Sequence, residues 1–421
     1  MRKILLGTTG VVGAALIGMG AAQAQQAPTV RVGGYLQTTV AISDDNLDTA
    51  RGTNAGPTGV AGAGRVDRSS TDFRNEVEIH VFVTGKAANG LSYGAVVEIQ
   101  NDNVGGGGSG SALDLDEAYV FVSSPTLGTI RFGEEDSAAS IMQVRAPAIT
   151  GFGADGAWDV GLLGTANGTG GNPSLLTGIN DGSDATKIIY LSPQFFGFDF
   201  GASYAPNTGE GDRAFLGRAV DTIAVTGGAL AINPTQRDDT SLTNEISAAL
   251  RYRGTFGGVG IAAGFGYMQA ESAKNGAAGT AVAARLDDVS AYTVGLNLSA
   301  FGLTVGGEYS WGKYSGASVG RTALGAGRDE SNHWLLGATY VMGAFSVGAY
   351  YGVATQDNGG TLADREQTGW GLGVAYTVAP GLEVFANYNT YEDKNVNITF
   401  GGGTLADREF SAFFLGTRLA F

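Results

Sequence analysis

Carboxylates are the main chemical resource of this chain. Of its 421 residues, 40 are Asp or Glu against 25 Lys or Arg, a formal charge of −15. A balance this acidic argues against nucleic acid as a partner. Glu134, Glu135, Asp136, Asp155 and Asp159 fall in one stretch, 134–159, whose one basic residue is Arg145. Fixed charges at that density do electrostatic work: they set a local potential that attracts cations and turns anions away. Bond-making chemistry would instead need a nucleophile or an activated water beside a base. The chain has two histidines, His80 and His333, far apart in sequence, and no cysteine. A catalytic histidine is therefore not expected, and thiolate metal ligands and disulfides are excluded. No EF-hand-like spacing appears. The reading is of a protein that is not an enzyme and has no cofactor and no metal site, beyond divalent cations such as Ca2+ held loosely by acidic outer loops.

The elements that must position these charges are strands. In 71–85 the apolar residues Phe73, Val77, Ile79, Val81 and Val83 share one parity, while Arg74, Glu76, Glu78 and His80 share the other. In 368–379, Trp370, Leu372, Val374, Tyr376 and Val378 alternate with Gly369, Gly371, Gly373, Ala375 and Thr377. A period of two is the signature of a strand with two unlike faces. Similar runs lie near 29–41, 91–100, 114–123, 128–134, 186–193, 198–206, 243–254, 258–270, 288–299, 302–313, 331–343, 344–356, 381–393 and 408–421, about sixteen in all, an even number that suits a closed antiparallel barrel. A soluble β-protein would show polar residues outward, whereas one face here is Leu, Val, Phe and Tyr throughout.

Connections alternate in length. Lys86–Gly90, Ser123–Gly128, Ser192–Gly197, Gly254–Gly258, Ser299–Gly302, Met342–Phe345 and Ala379–Leu382 are tight; 42–70, 207–242, 271–287, 314–330 and 394–407 are long. Short turns on one side and long loops on the other describe a barrel crossing a membrane. Tyr204, Tyr252, Tyr309, Trp311, Trp334 and Tyr340 cluster near strand ends, as an interfacial girdle requires. Gly-Gly-Thr-Leu-Ala-Asp-Arg-Glu occurs at 359–366 and again at 402–409, each time where a long loop enters a strand, and reads as a local hairpin duplication.

The two ends add an address. Arg2 and Lys3 precede an apolar run from Ile4 to Gly20, and Ala22-Gln23-Ala24 supplies a small-x-small cleavage pattern. Residues 1–24 read as a cleaved signal peptide and 25–421 as one barrel domain. Losing Arg2 and Lys3 makes the formal charge more negative than −15. The last strand ends on Phe421 with Leu419 on the same parity, and resembles the assembly signal of bacterial outer-membrane barrels.

Several motifs together resemble the general, non-specific porins of Gram-negative bacteria, especially those of alphaproteobacteria. Asn89-Gly90-Leu91-Ser92-Tyr93-Gly94 is similar to their first periplasmic turn. Ala118-Tyr119-Val120-Phe121-Val122 with Leu127-Gly128-Thr129-Ile130-Arg131-Phe132-Gly133 resembles the fourth and fifth strands, and Tyr190–Phe198 the third turn. The resemblance implies a sixteen-stranded transmembrane barrel in the outer membrane, a homotrimer. It further implies contacts with outer-membrane lipid and lipopolysaccharide, and insertion by the barrel assembly machinery.

It also implies that the long third loop, 134–186, folds into the lumen and forms the acidic side of a constriction through Glu134, Glu135, Asp136, Asp155 and Asp159. Phe152, Trp158, Ile149 and Leu162 are expected to pack that loop on the wall, and Gly348, Gly352, Gly371 and Gly373 to leave room for the loop or for water. The wall candidates are Arg74, Glu78, His80, Asp116 and Arg131. His80 and Asp116 stand where the family often has arginine, so the field should be more negative and the pore cation-preferring. The alternative is a substrate-selective channel for a sugar or other small polar nutrient, with inward Tyr350 and Tyr391 as part of a track.

Overall fold

The computed structural model describes residues 27–46, 70–101, 114–148, 176, 178–179, 184–207, 224–226, 229–231, 242–272, 287–314, 328–395, 398–400, 403–405 and 407–421. The alternating runs become β1 (Thr29–Asp45), β2 (Thr71–Lys86), β3 (Ser92–Asn101), β4 (Asp114–Ser124), β5 (Gly128–Glu134), β6 (Thr186–Leu191) and β7 (Phe198–Asn207). They continue as β10 (Thr243–Phe256), β11 (Val259–Glu271), β12 (Val289–Ala300), β13 (Leu303–Lys313) and β14 (Ser331–Met342). The last are β15 (Phe345–Gln356), β16 (Arg365–Ala379), β17 (Leu382–Lys394) and β20 (Arg408–Ala420). Each pairs antiparallel with the next and β20 returns to β1, so the sixteen strands close into a barrel.

That closure is the expected fold, with two additions. The long connections carry small hairpins, β8 (Ala224–Thr226) with β9 (Ala229–Ala231), and β18 (Ile398–Phe400) with β19 (Gly403–Leu405). Strands also outrun their apolar stretches: β1 reaches Asp45 and β16 begins at Arg365, because backbone pairing continues past the point where side-chain alternation fades. The seam is completed by Phe421, whose N–H donates to Gly34 O at 3.0 Å and whose carbonyl accepts from Gly34 N at 3.1 Å.

Register sends the apolar parity outward. In β7, Phe198, Phe200 and Tyr204 are exposed while Asp199, Ser203 and Asn207 are buried, the inverse of a soluble sheet. Leu372, Val374 and Tyr376 on β16 are exposed in the same way. No helix among the described residues is long and apolar enough to cross a membrane. Outward aromatics gather toward the strand ends: Tyr267, Tyr292, Trp311 and Tyr309 form a chain of ring contacts with centroids 5.0–5.3 Å apart. Phe198 and Tyr252 meet at 4.9 Å and Phe345 and Tyr376 at 4.6 Å near the tight turns. Two of those turns are Phe-Gly pairs with positive φ at both residues, Phe196–Gly197 (52°, 91°) and Phe301–Gly302 (53°, 83°). Positive φ at both positions matches the twist of paired strands.

The buried apolar residues lie inside the barrel. One cluster joins Ala146 and Leu176 to Leu335, Tyr350, Phe385, Tyr391, Phe410 and Phe414; another joins Ala139 and Ile179 to Leu242, Met268, Val289 and Tyr314. In both, residues from the connection after β5 meet residues of the wall.

Candidate functional site

The segment leaving β5 is fixed first by capping. Ser137 caps the short helix α1 (Ala138–Met142), its Oγ accepting from Ser140 N, and Ser140 Oγ donates to Asp136 at 2.9 Å. The Ala138 and Ala139 N–H groups, which a helix start leaves without partners, donate to Ser203 Oγ and Ser247 Oγ at 3.1 Å each. Those hydroxyls stand on β7 and β10, so the helix start is attached to the inner wall.

From there residues 143–148 follow a line of inward glycines. A Cβ at Gly264 would meet Val144 Cγ2 at 3.0 Å, one at Gly295 would stand 1.7 Å from Val144 O, and one at Gly337 would stand 2.4 Å from Pro147 O. Polar groups finish the attachment. Asn297 Nδ2 donates to Arg145 O at 2.9 Å, and Ala146 N–H donates to Glu308 Oε2 at 2.9 Å. Glu308 also faces Arg145 Nε at 3.7 Å and His333 Nε2 at 3.4 Å. His333 is fully buried in that contact near the loop-side end of β14.

Of the expected glycines, Gly348, Gly371 and Gly373 line a small cavity against Pro147 and Ala148 of the segment. Gly352 and Gly371 make room for the Leu335 and Tyr350 side chains, whose atoms lie 2.5 Å from where a Cβ would be. Gly264, Gly295 and Gly337 lie beneath the segment as well. Tyr350 and Tyr391 are buried too, with hydroxyls 3.4 Å apart and Tyr350 donating to Asn389 at 2.9 Å. They are packing residues of the first cluster.

The expected acidic side of the constriction is met unevenly. Glu135 is buried, and its carboxylate accepts from Arg131 Nη1 at 2.7 Å. The two were read as opposite sides of a field; they form one ion pair, so their charges largely cancel at a distance. Arg131 also lies over the Tyr119 ring at 5.0 Å, and Lys187 Nζ donates to Glu135 O. Glu134 departs from its assigned place. It is opposite Ala118 in the register that sets exposed Phe132 opposite exposed Val120, so it belongs to the outward face of β5. Asp136 stays beside the α1 start. Asp155, Asp159, Phe152, Trp158, Ile149 and Leu162, the leader 1–24 and the Arg74 side chain lie outside the described residues; the Arg74 backbone pairs with Thr39.

The wall across from this segment is built by β2–β4. Glu76, Glu78 and His80 share one face of β2, and His80 is directly opposite Glu98 of β3. A bulge then brings two residues of β4 against one of β3. Val97 pairs with Ala118 and Ile99 with Leu115, so Asp116 and Glu117 both oppose Glu98. Tyr35 OH donates to Glu76 and, at 2.6 Å, to Glu78. Gln100 Nε2 donates to Asp116 at 2.6 Å. His80 Nε2 lies 3.1 Å from Glu78 and Nδ1 3.2 Å from Glu98. Glu78, His80 and Asp116 are thus brought together, and Arg131 stands apart with Glu135. Glu98 and Glu117 were not singled out from the sequence. Both could have been found from parity, Glu98 from that of Gln100 and Glu117 from that of Tyr119; Asp116 could not, because it shares the parity of exposed Val120 and turns inward only at the bulge.

What the arrangement can do is electrostatic. One side of the lumen is covered by a bound segment, and the other presents a crowd of carboxylates with one imidazole among them. A model of Gram-negative porins matches residues 10–396 of the chain. Among solved structures, a loop L8 deletion mutant of OmpT, an outer membrane protein of Vibrio cholerae, is similar with a TM-score of 0.55 and 15% identity, covering 94% of this chain and 100% of that one. An anion-selective porin from Comamonas acidovorans is similar with a TM-score of 0.54 and 18% identity, covering 94% and 100%. At such identities these likenesses speak to fold alone. No curated protein matches the chain.

Proposed function

Because the chain belongs to the Gram-negative porin family and forms an outer-membrane β-barrel, we propose that it is a non-enzymatic, water-filled diffusion channel for ions and small hydrophilic solutes, with a preference for cations. The single observation that carries the preference is the β2–β4 wall, where Glu78 and Glu98 approach each other across His80 with no Lys or Arg between them among the described residues. Carboxylates held on low-dielectric walls of a narrow passage focus a negative potential on whatever passes. Asp155 and Asp159 add to it on this reading, as the acidic side supplied by the third loop. The burial of Tyr350 and Tyr391 weighs against a sugar track and supports diffusion over a substrate-selective channel.

The reversal potential in a tenfold KCl gradient tests this. The wild type should be cation-selective, less so as salt rises, since charges act over roughly 8–10 Å at ordinary ionic strength. Replacing Asp155 and Asp159 with Asn should move it toward anions. An anion-selective wild type sinks the preference, and an unmoved double variant removes the loop from it.

The family also supports a homotrimer in outer-membrane lipid and lipopolysaccharide, exported through a cleaved leader and inserted by the assembly machinery. Phe421 and Leu419 are the proposed assembly signal. Deleting Phe421 removes one outward side chain and the terminal pairing with Gly34, a small part of the seam. A sharp fall in outer-membrane yield at native expression is nevertheless expected; equal yield would remove the signal role.

A further inference from the structure

We infer that Glu78, His80 and Glu98 form a binding site for one divalent transition-metal ion on the lumen wall of β2 and β3. The backbone sets up the donor set. Residues two apart on a strand share a face, which aligns Glu78 with His80 on β2, and the β2–β3 register puts Glu98 directly opposite His80. Directly opposed residues have Cβ atoms about 4.5–5.5 Å apart, close enough for both side chains to reach one ion.

The side chains are already gathered. His80 Nε2 stands 3.1 Å from Glu78 Oε2 and Nδ1 stands 3.2 Å from Glu98 Oε2. One donor atom from each residue can be chosen so that all lie within 4.8 Å of one another. Ligands of tetrahedral Zn2+ sit at about 2.0–2.2 Å from the metal, hence roughly 3.3 Å from each other. Small rotations about side-chain bonds close the remaining distance. One imidazole nitrogen binds the metal beside one oxygen of each carboxylate, and the other ring nitrogen keeps the proton. The ring is further held by stacking on Phe82, with centroids 5.8 Å apart and planes 21° from parallel. The fourth position opens to the lumen and takes water.

Charge favours occupancy. Among the described residues Glu78 and Glu98 have no Lys or Arg partner, and each is within hydrogen-bond reach of His80. Two carboxylates this close repel when both are ionised, and a dication between them removes that repulsion. The donor set of one imidazole and two carboxylates selects ions that accept nitrogen, such as Zn2+, Ni2+ or Cu2+, over Ca2+ and Mg2+, which prefer all-oxygen shells. The site escapes a sequence scan because Glu98 joins the pair only through strand register. Occupancy would place positive charge in the acidic wall and lower the cation preference. That consequence rests on the channel reading, whereas binding does not.

The test is therefore made on the full mature chain folded in detergent, by calorimetric titration with Zn2+ alone, a readout that does not need the barrel to conduct. Expected is one Zn2+ per chain in the micromolar range or tighter, weakened at least about tenfold in His80→Asn and again in Glu98→Gln. Cu2+ added to the wild type should show, by electron paramagnetic resonance, hyperfine coupling to one imidazole nitrogen, lost in His80→Asn. Heat-modifiable gel mobility checks that each variant is a closed barrel; the wild-type resonance experiment decides the matter if one is not. No Zn2+ binding by the wild type, binding unchanged in both variants, or a nitrogen signal that survives His80→Asn would each overturn the site.

Discussion

The two sides of the lumen wall handle buried carboxylates in opposite ways. On the side from β13 through β20 to the β1 seam, Glu308, Asp393 and Asp45 are each given a cation. Glu308 has Arg145 and His333, and a loop N–H besides. The duplicated Asp-Arg-Glu builds one clasp twice. Arg365 Nε donates to Asp393 Oδ1 at 2.8 Å with Nη2 on the other oxygen, and Arg408 Nε donates to Asp45 Oδ1 at 3.1 Å, again with Nη2 on the other oxygen. Even the flanking amides correspond: Asn395 Nδ2 donates to Asp364 O and Asn46 Nδ2 to Asp407 O. On β2–β4, among the described residues, Glu78 and Glu98 meet Tyr35 and His80, groups that add at most one positive charge. Paired forks give rigidity and little far field. Unneutralised carboxylates cost stability and project a field. The contrast divides the molecule into a half that holds shape and a quarter that acts on ions.

The sharpest way to break that contrast is to remove one fork. Arg408→Ala leaves Asp45 buried without its cation at the seam where β20 meets β1, and should cost about 3–5 kcal/mol. It would be read as a lower temperature for loss of heat-modifiable mobility, with ion selectivity little changed. A selectivity shift as large as that of the wall variants would erase the division of labour.

Next in size is the glycine track. Gly295→Ala puts a methyl against Val144 O, where a Cβ would stand 1.7 Å away. The segment must move off the β12 wall, at a cost of about 1–3 kcal/mol. Single-channel conductance should change, because the bound segment is displaced into or out of the passage. Unaltered conductance would mean that residues 143–148 do not bound the conducting path.

The smallest free-energy effect, and the most informative about function, belongs to the acidic wall. Glu78→Gln with Glu98→Gln, recorded in EDTA to keep metals away, should lower the cation-to-anion permeability ratio several-fold. That is about 1 kcal/mol per charge at most in a water-filled passage. Folding stability should hold or rise, since a like-charge contact is removed. A double variant that loses stability but keeps its selectivity would make the wall structural and move the field elsewhere.

The sequence was enough for the barrel because alternation is a local property. Each strand announces its two faces through its own parity, and the Phe-Gly turns announce the hairpins, so the sixteen strands could be counted residue by residue. Parity also set Glu78 and His80 on one face of β2, whereas Asp116 was placed by the resemblance. It failed where the backbone leaves simple alternation or where partners come from distant strands. Past the end of β5 Glu135 folds back onto Arg131, and the β4 bulge adds Asp116, of outward parity, to the wall beside Glu117. Which glycines carry the loop was decided by where Val144 and Pro147 come to lie, and every inward glycine looks alike in one dimension. The clasp of Arg408 on Asp45 spans nearly the whole chain and exists only because the last strand closes on the first. Local periodicity fixes which face a side chain takes; only register and closure decide which charges meet, and therefore which cancel and which are left to face the pore.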